Sequence, residues 1–516
     1  MGRRKEKMIR KMEEEEKIHT GHNDRPAQSW PSGVSFKLAL GSAATTPGFC
    51  LTFDRLSPGS LQQLLANTEL PDYYAPWMDV AANLPHLIEG HQLRREVAKM
   101  PLLSTQYLRG HRQLRLARLA LGFITMGYVW QGGSRQTVKI LPRVLAVPYC
   151  TISELLDLPP ILVYADCVLA NWKKRDPCGP LNVENLDILF SFPGGDSNKG
   201  FFLVSLLVEA AAATGIKAIP MIINAILHHD RCSLETALQD VALSICKMRE
   251  AFKLIHECVN PGAFFRSLRI YLSGAQILHW AALLPNHCFQ EQLSDRKLPV
   301  LQGTSVYHRG ESSHTETPTD RTFRSCCWFS LHVFGTSWKD SFLMPEGLVY
   351  EGVWDSPKQF SGGSAAQSST LQCFDVLLGI QHRAAQGFSA EYLGCMRDYM
   401  PAAHRAFIQT LASGPSLRQF VLATGDAGLH AAFNKCVLAL VDLRSYHIQI
   451  ATKYITIPAG RCRAEQQQLG GCVHEGTSVL SERGTGGTGF MRFLKAVRDT
   501  TRKAQLTEQD ATVLTH

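Results

Sequence analysis

The stretch AAFNKCVLALVDLRSYHIQIATKYITI, residues 431–457, decides the reading of this chain. It holds neither Pro nor Gly. Val437, Leu440, Val441, Ile448, Ala451 and Ile455 recur at the spacing of one buried helix face. Arg444 and His447 fall inside that same stripe, one turn apart. A cation on a core-facing stripe needs an anionic partner, because an unpaired buried charge is costly. One reading is a core histidine bonded to a carbonyl, with Arg444 reaching for the surface. The other is a ligand that wants both residues. Haem is such a ligand, since its iron takes a proximal His and its propionates take a cation.

Outward from this helix, the composition is that of an ordinary globular protein. The chain has 516 residues, 45% hydrophobic and 19% charged, enough for two or more domains. The net charge of +8 is spread along the chain, and no basic stripe alternates with aromatics, so nucleic-acid binding is not expected. The opening run MGRRKEKMIRKMEEEEK has no apolar segment of a secretory signal. The longest apolar stretches, 119–130 and 201–208, are too short to span a bilayer and read as buried helices. Fifteen cysteines without a CxxC pair point to reduced thiols and a cytoplasmic location. His279, His287, Cys288, Cys326, Cys327 and His332 match no metal-ligand spacing.

Few alternating β-branched runs occur anywhere, so the expected fold is all-α, with two helical domains. Residues 1–67 read as an extra N-terminal segment, with charged residues followed by Ser, Pro and Gly. Residues 68–190 read as a small helical domain of short helices punctuated by Pro, with a long apolar helix over 111–130. The Pro-rich stretch 141–166 is expected to be irregular, and 164–172 helical. Residues 191–516 form the larger domain. An irregular insertion at 275–337 and a Gly- and Gln-rich mobile loop at 458–489 interrupt it. The residues NPGAFF open a helix at Asn260 and Pro261.

Several motifs now stand together: LPPILVYADCVLANWKKRDP (158–177), SFPGGDSNKGFFLVSLLVE (191–209), NPGAFFRSLRIYLSG (260–274), GLVYEG (347–352), GGSAAQSS (362–369), CFDVLLGI (373–380), LRSYHIQIATKYI (443–455) and RGTGGTG (483–489). In this order they resemble the indoleamine 2,3-dioxygenase family of haem enzymes. The stretches 91–119 and 124–133 look more like the family's second vertebrate paralogue. Residues 275–337 stand outside the family's pattern.

The resemblance implies two all-α domains with one haem b in the larger. It implies a dioxygenase that opens the indole C2–C3 bond of L-tryptophan, or of a related indoleamine, with O2 and an external reductant. His447 matches the proximal iron ligand, Arg444 the residue near a propionate, and Asp375 its partner. Gly363, Ser364 and Ala365 match the loop at the haem edge. Phe264, Phe265 and Arg269 match the distal wall, where Arg269 takes the substrate carboxylate through a planar fork. Tyr164, Cys167, Val168 and Phe201 match the pocket floor, Ser205 the distal serine, and Leu272 a further substrate contact. Thr485 matches a loop that closes over substrate.

Two short motifs, VPYCTI around Tyr149 and LVYEGV around Tyr350, fit loose phosphotyrosine patterns. They open a second expectation, a haem-binding signalling protein read by SH2-type partners. Packed core tyrosines are the plainer reading of the same two residues.

Overall fold

The computed structural model describes residues 68–133, 136–273, 347–382, 388–468 and 490–507. The expected segments 1–67 and 275–337, Thr485, and the expected loop from residue 469 onward lie outside the described residues.

The fold is all-α, as the sparse β-patterning predicts. The helices of eight or more residues are α1 Ala75–Ala82, α2 Gly110–Trp130, α3 Arg143–Leu155, α4 Asp196–Ala211, α5 Ala213–Leu227, α6 Arg231–Lys253, α7 Ser369–Leu377, α8 Phe388–Met396, α9 Ala402–Ala412, α10 Leu417–Thr424, α11 Ala427–Ala451, α12 Ile457–Gln468 and α13 Phe490–Arg502. The strands among the described residues are two residues long. β1 Ile140–Leu141 pairs in parallel with β4 Val349–Tyr350, and β2 Lys173–Lys174 pairs antiparallel with β3 Leu186–Asp187.

The helix read from residues 431–457 begins earlier, at Ala427. Gly425, at φ +60°, closes α10, and the Asp426 carboxylate then caps the backbone N–H groups of Gly428 and Leu429 at 2.8 and 3.1 Å. Cys436, Val437 and Leu440 are fully buried where α11 packs between α6 and α13. At its far end the backbone passes through a π-helical turn, Thr452–Thr456, before α12. Tyr454 pins that turn by donating to the carbonyl oxygens of Ile255 and Val259 at 2.8 and 3.1 Å.

Buried side chains form two clusters. One gathers Trp77, Leu119, Phe123, Tyr149, Phe192 and Phe202. The other gathers Ile219, Leu238, Phe374, Phe407, Phe433 and Leu440. Each fully buried side chain of this kind contributes about 1.5–3 kcal/mol. The division falls where α4 gives way to α5: Leu207 belongs to the first cluster and Ala212 to the second. Residues 196–227 are together long and apolar enough to cross a membrane, but 67% of the apolar 18-residue window within them is buried inside the fold. They are core helices here.

Three expectations fail. Residues 143–155, expected to be irregular, form α3 with Pro148 inside it. Leu145, Ala146, Tyr149 and Ile152 bury one face of that helix, and this packing outweighs the hydrogen bond that Pro148 forgoes. The expected loop at 458–489 is helical in its first part, as α12 runs to Gln468. The phosphotyrosine motifs fail because both hydroxyls are inside the protein. Tyr149 is 0% exposed and packs on the Arg118 guanidinium at 5.4 Å. Tyr350 is 2% exposed and donates to the Pro160 carbonyl at 2.7 Å.

Candidate haem and substrate site

An apolar cavity opens between α4, α6, α11 and the loop before α7. Ten of the residues singled out in the sequence line it: Tyr164, Cys167, Val168, Phe201, Ser205, Leu272, Gly363, Ala365, Arg444 and His447. They come from five separate stretches of chain, so the fold rather than local sequence brings them together.

His447 faces this cavity beside the Phe252 ring, at 5.7 Å between centroids. Burial, reinforced by Arg444, takes its imidazole down to about 4. At neutral pH it is therefore uncharged, the form that ligates a metal. Arg444 sits one turn away, and its Nη2 donates to both Asp375 oxygens at 2.8 and 2.7 Å. Burial works against the Asp375 charge, but Arg444 and His382 outweigh it and hold the carboxyl below its usual range. The anionic partner required by a cation on the buried stripe is thus Asp375, with 9% of its side chain exposed.

The floor is built on a second π-helical segment, Ala165–Ala170, which carries Cys167 and Val168. Asp166 fixes its entry: one oxygen accepts from the Val163 backbone at 3.1 Å, and both accept from Arg118. Arg118 is 0% exposed and also donates to Ser153 and to the carbonyls of Pro159 and Ile161. Burial and Asp166 push the Cys167 thiol well up. It stays protonated, which removes it as a thiolate ligand. Ser205 donates to the Phe201 carbonyl at 2.8 Å, so its oxygen remains an acceptor toward the cavity.

The loop of residues 361–368 closes one edge. The Gln367 amide nitrogen donates to Gly362 and its oxygen accepts from the Tyr164 backbone, at 2.8 and 2.9 Å. This one side chain ties the loop to the floor. Ser364 does not line the cavity. Its hydroxyl oxygen caps the turn Ala365–Gln367 by accepting from Ala366 at 3.2 Å.

Phe264, Phe265 and Arg269 form a layer behind the lining rather than the lining itself. Phe264 and Phe265 begin a third π-helical turn, Phe264–Leu268, entered through the Asn260 cap and Pro261. Phe264 packs on Phe201 at 4.9 Å, and the Arg269 guanidinium lies over Phe265 at 5.3 Å. Burial takes Arg269 down to about 10, which leaves it charged at neutral pH. Of the π-helical turns, Ala165–Ala170 lines the cavity through Cys167 and Val168, and Phe264–Leu268 backs it through Phe264 on Phe201.

Sequence reasoning missed Glu209 and His382. Glu209 lines the cavity and accepts from Tyr164, Ser368 and Thr370 hydroxyls at 2.8, 2.6 and 2.6 Å. Burial raises its carboxyl above the usual range despite these three donors. In the sequence it marks the end of an apolar run, and nothing local points to hydroxyls some 160 residues away.

The donor set fits haem: a neutral imidazole and a braced cation at one wall of an apolar cavity. Known proteins agree. The indoleamine 2,3-dioxygenase family pattern matches residues 57–313 and 321–504. The chain belongs to this family. Rattus norvegicus indoleamine 2,3-dioxygenase 1 is 49% identical over 438 residues, 85% of this chain and 91% of that protein. Homo sapiens indoleamine 2,3-dioxygenase 2 is 43% identical over 439 residues, again 85% and 91%. A Haliotis madaka protein named myoglobin is 32% identical over 437 residues, 84% of this chain and 93% of that one.

Indoleamine 2,3-dioxygenases are enzymes, and the enzymatic reading of the site follows from membership. These identities do not single out the second paralogue. The family match also extends into the segments 1–67 and 275–337 that the motif pattern sets apart, with its one break at 314–320.

Proposed function

We propose that the chain is a haem-dependent dioxygenase. It opens the indole C2–C3 bond of L-tryptophan, or of a related indoleamine, with O2 to give N-formylkynurenine, the first step of the kynurenine pathway. The observation that carries this reading is the pairing, on one cavity wall, of a neutral His447 with an Arg444 held by Asp375. His447 would hold the iron, Arg444 a propionate, and Gly363 and Ala365 the edge of the ring. When bound, haem supplies the oxygen chemistry and an external reductant keeps it active. Its cytoplasmic setting is part of the same proposal.

The protein's own residues then have defined tasks. Val168, Phe201 and Leu272 exclude water and offer apolar faces to an indole. Arg269, charged and stacked on Phe265 behind the lining, would reach the substrate carboxylate as a bidentate donor once substrate is bound. Ser205 presents an oxygen acceptor, not a free proton, because its hydrogen goes to Phe201. Glu209 holds Tyr164 by its hydroxyl and so fixes the floor. No acid–base pair is required of the chain.

Purified protein supplied with haem is expected to show a Soret band and, with reductant and L-tryptophan, to form N-formylkynurenine. Absence of the band contradicts the proposal. A second reading, a haem protein with little turnover, draws support from the relative named myoglobin. A Soret band without product under strong reductant and high substrate decides for it.

A further inference from the structure

His382 follows directly from a turn that folds the chain back onto its own helix. Gly379 takes a left-handed conformation, φ +63°, after α7, and Ile380 donates back to the Asp375 carbonyl at 2.8 Å. The imidazole returns alongside the last turn of α7, where its Nε2 meets Asp375 Oδ2 at 2.8 Å. Only 7% of its side chain is exposed. Among the described residues its Nδ1 is buried and makes no hydrogen bond, so the proton that matters is the one on Nε2, donated to the carboxylate.

Asp375 therefore serves two donors. Arg444 directs Nη2 at both Asp375 oxygens and one Nη1 hydrogen at Thr501. A guanidinium carries five donors, so at least two remain for a ligand acid. How well these are aimed depends on the Asp375 carboxylate, which holds the Nη2 edge. A carboxylate gripped only by Arg444 is able to turn with it. One gripped on its far side by His382 holds its plane. The second donor also divides the field of Asp375, which leaves more of the Arg444 charge for an incoming anion.

We propose that His382 is a positioning residue for the acid end of the cofactor: by its Nε2–H bond to Asp375 it sets how firmly Arg444 holds a haem propionate. This inference rests on the haem reading above and deepens it. His382 does not line the cavity; its action passes through Asp375 and Arg444.

The test is the rate at which full-length, haem-loaded protein loses haem to an excess of apomyoglobin, followed by the Soret band. His382→Leu, which has no donor, is expected to release haem about tenfold faster, the equivalent of about 1.4 kcal/mol and so near the low end for one hydrogen bond to a charged group. His382→Gln keeps an N–H donor of similar reach and is expected to stay within about twofold of the parent. A merely space-filling role predicts no such rescue. His382→Asn, whose amide is shorter, serves as a second donor-deprived variant and is expected to follow His382→Leu. Circular dichroism of each apo chain confirms equal helix content.

Equal release from the parent and from both donor-deprived variants overturns the role of His382 while leaving the haem reading intact. Release from His382→Gln as fast as from His382→Leu overturns it as well. A parent protein that acquires no Soret band overturns both.

Discussion

Asp166→Asn tests how the buried Arg118–Asp166 pair holds the cavity floor. Asp166 and Arg118 approach to 3.1 Å with side-chain exposures of 1% and 0%. Arg118 also binds Ser153 and two carbonyls of the segment that leads into the floor. Replacing the carboxylate with an amide keeps the shape and leaves the guanidinium buried without its counter-charge. Breaking one side of such a buried pair costs about 3–5 kcal/mol. Against a typical total of about 5–15 kcal/mol, that is a large share.

With a urea dependence of about 2–3 kcal/mol/M, the unfolding midpoint of the apo chain is expected to fall by about 1–2 M. Arg118→Met in the Asp166→Asn background removes the stranded charge and is expected to recover part of the loss. Haem loading should fall with Asp166→Asn, because Asp166 anchors the turn that carries Cys167 and Val168. A loss below about 1 kcal/mol, or a double variant less stable than Asp166→Asn alone by a full further increment, refutes the assignment.

Two further outcomes follow from the site. The folded His447 imidazole titrates at about 4, below the unfolded value of about 6.5. Between these values the unfolded chain binds the extra proton, so apo stability is expected to fall as pH drops from about 6.5 to about 4. Asp375, whose carboxyl is depressed, contributes stability above its unfolded range and loses it only at lower pH, as its folded value is passed. Urea midpoints of His447→Leu across this range should lose the upper component; an unchanged profile counts against a neutral His447. Arg269→Ala is expected to retain haem and to lower kcat/KM for tryptophan by roughly a hundredfold, the loss of one charge-assisted fork. Equal haem loss in this variant contradicts its placement at the substrate.

What could be read from the sequence was what local spacing encodes. The stripe of α11 showed a cation and an imidazole where apolar residues belong, and the fold places both on the cavity. The apolar runs at 119–130 and 201–208 are core helices because their periodicity is complete within a few turns. What stayed hidden depends on distant chain. Glu209 becomes a buried acceptor only because Ser368 and Thr370 arrive from α7 and its cap. His382 gains meaning through the left-handed turn at Gly379, which a Gly in sequence permits but does not require. Pro148 disguised α3, since a mid-helix Pro normally argues against a helix. Arg269 was legible as a chemical type through family resemblance, yet its place behind the lining needed the π-helical turn of residues 264–268.

The most direct test of the central claim is the Soret spectrum of His447→Ala beside the parent, both purified with haem supplied. The parent is expected to bind haem stoichiometrically, and His447→Ala to lose it while keeping its helix content. A parent and a variant that retain haem equally, with the same spectrum, would contradict the claim that His447 holds the iron.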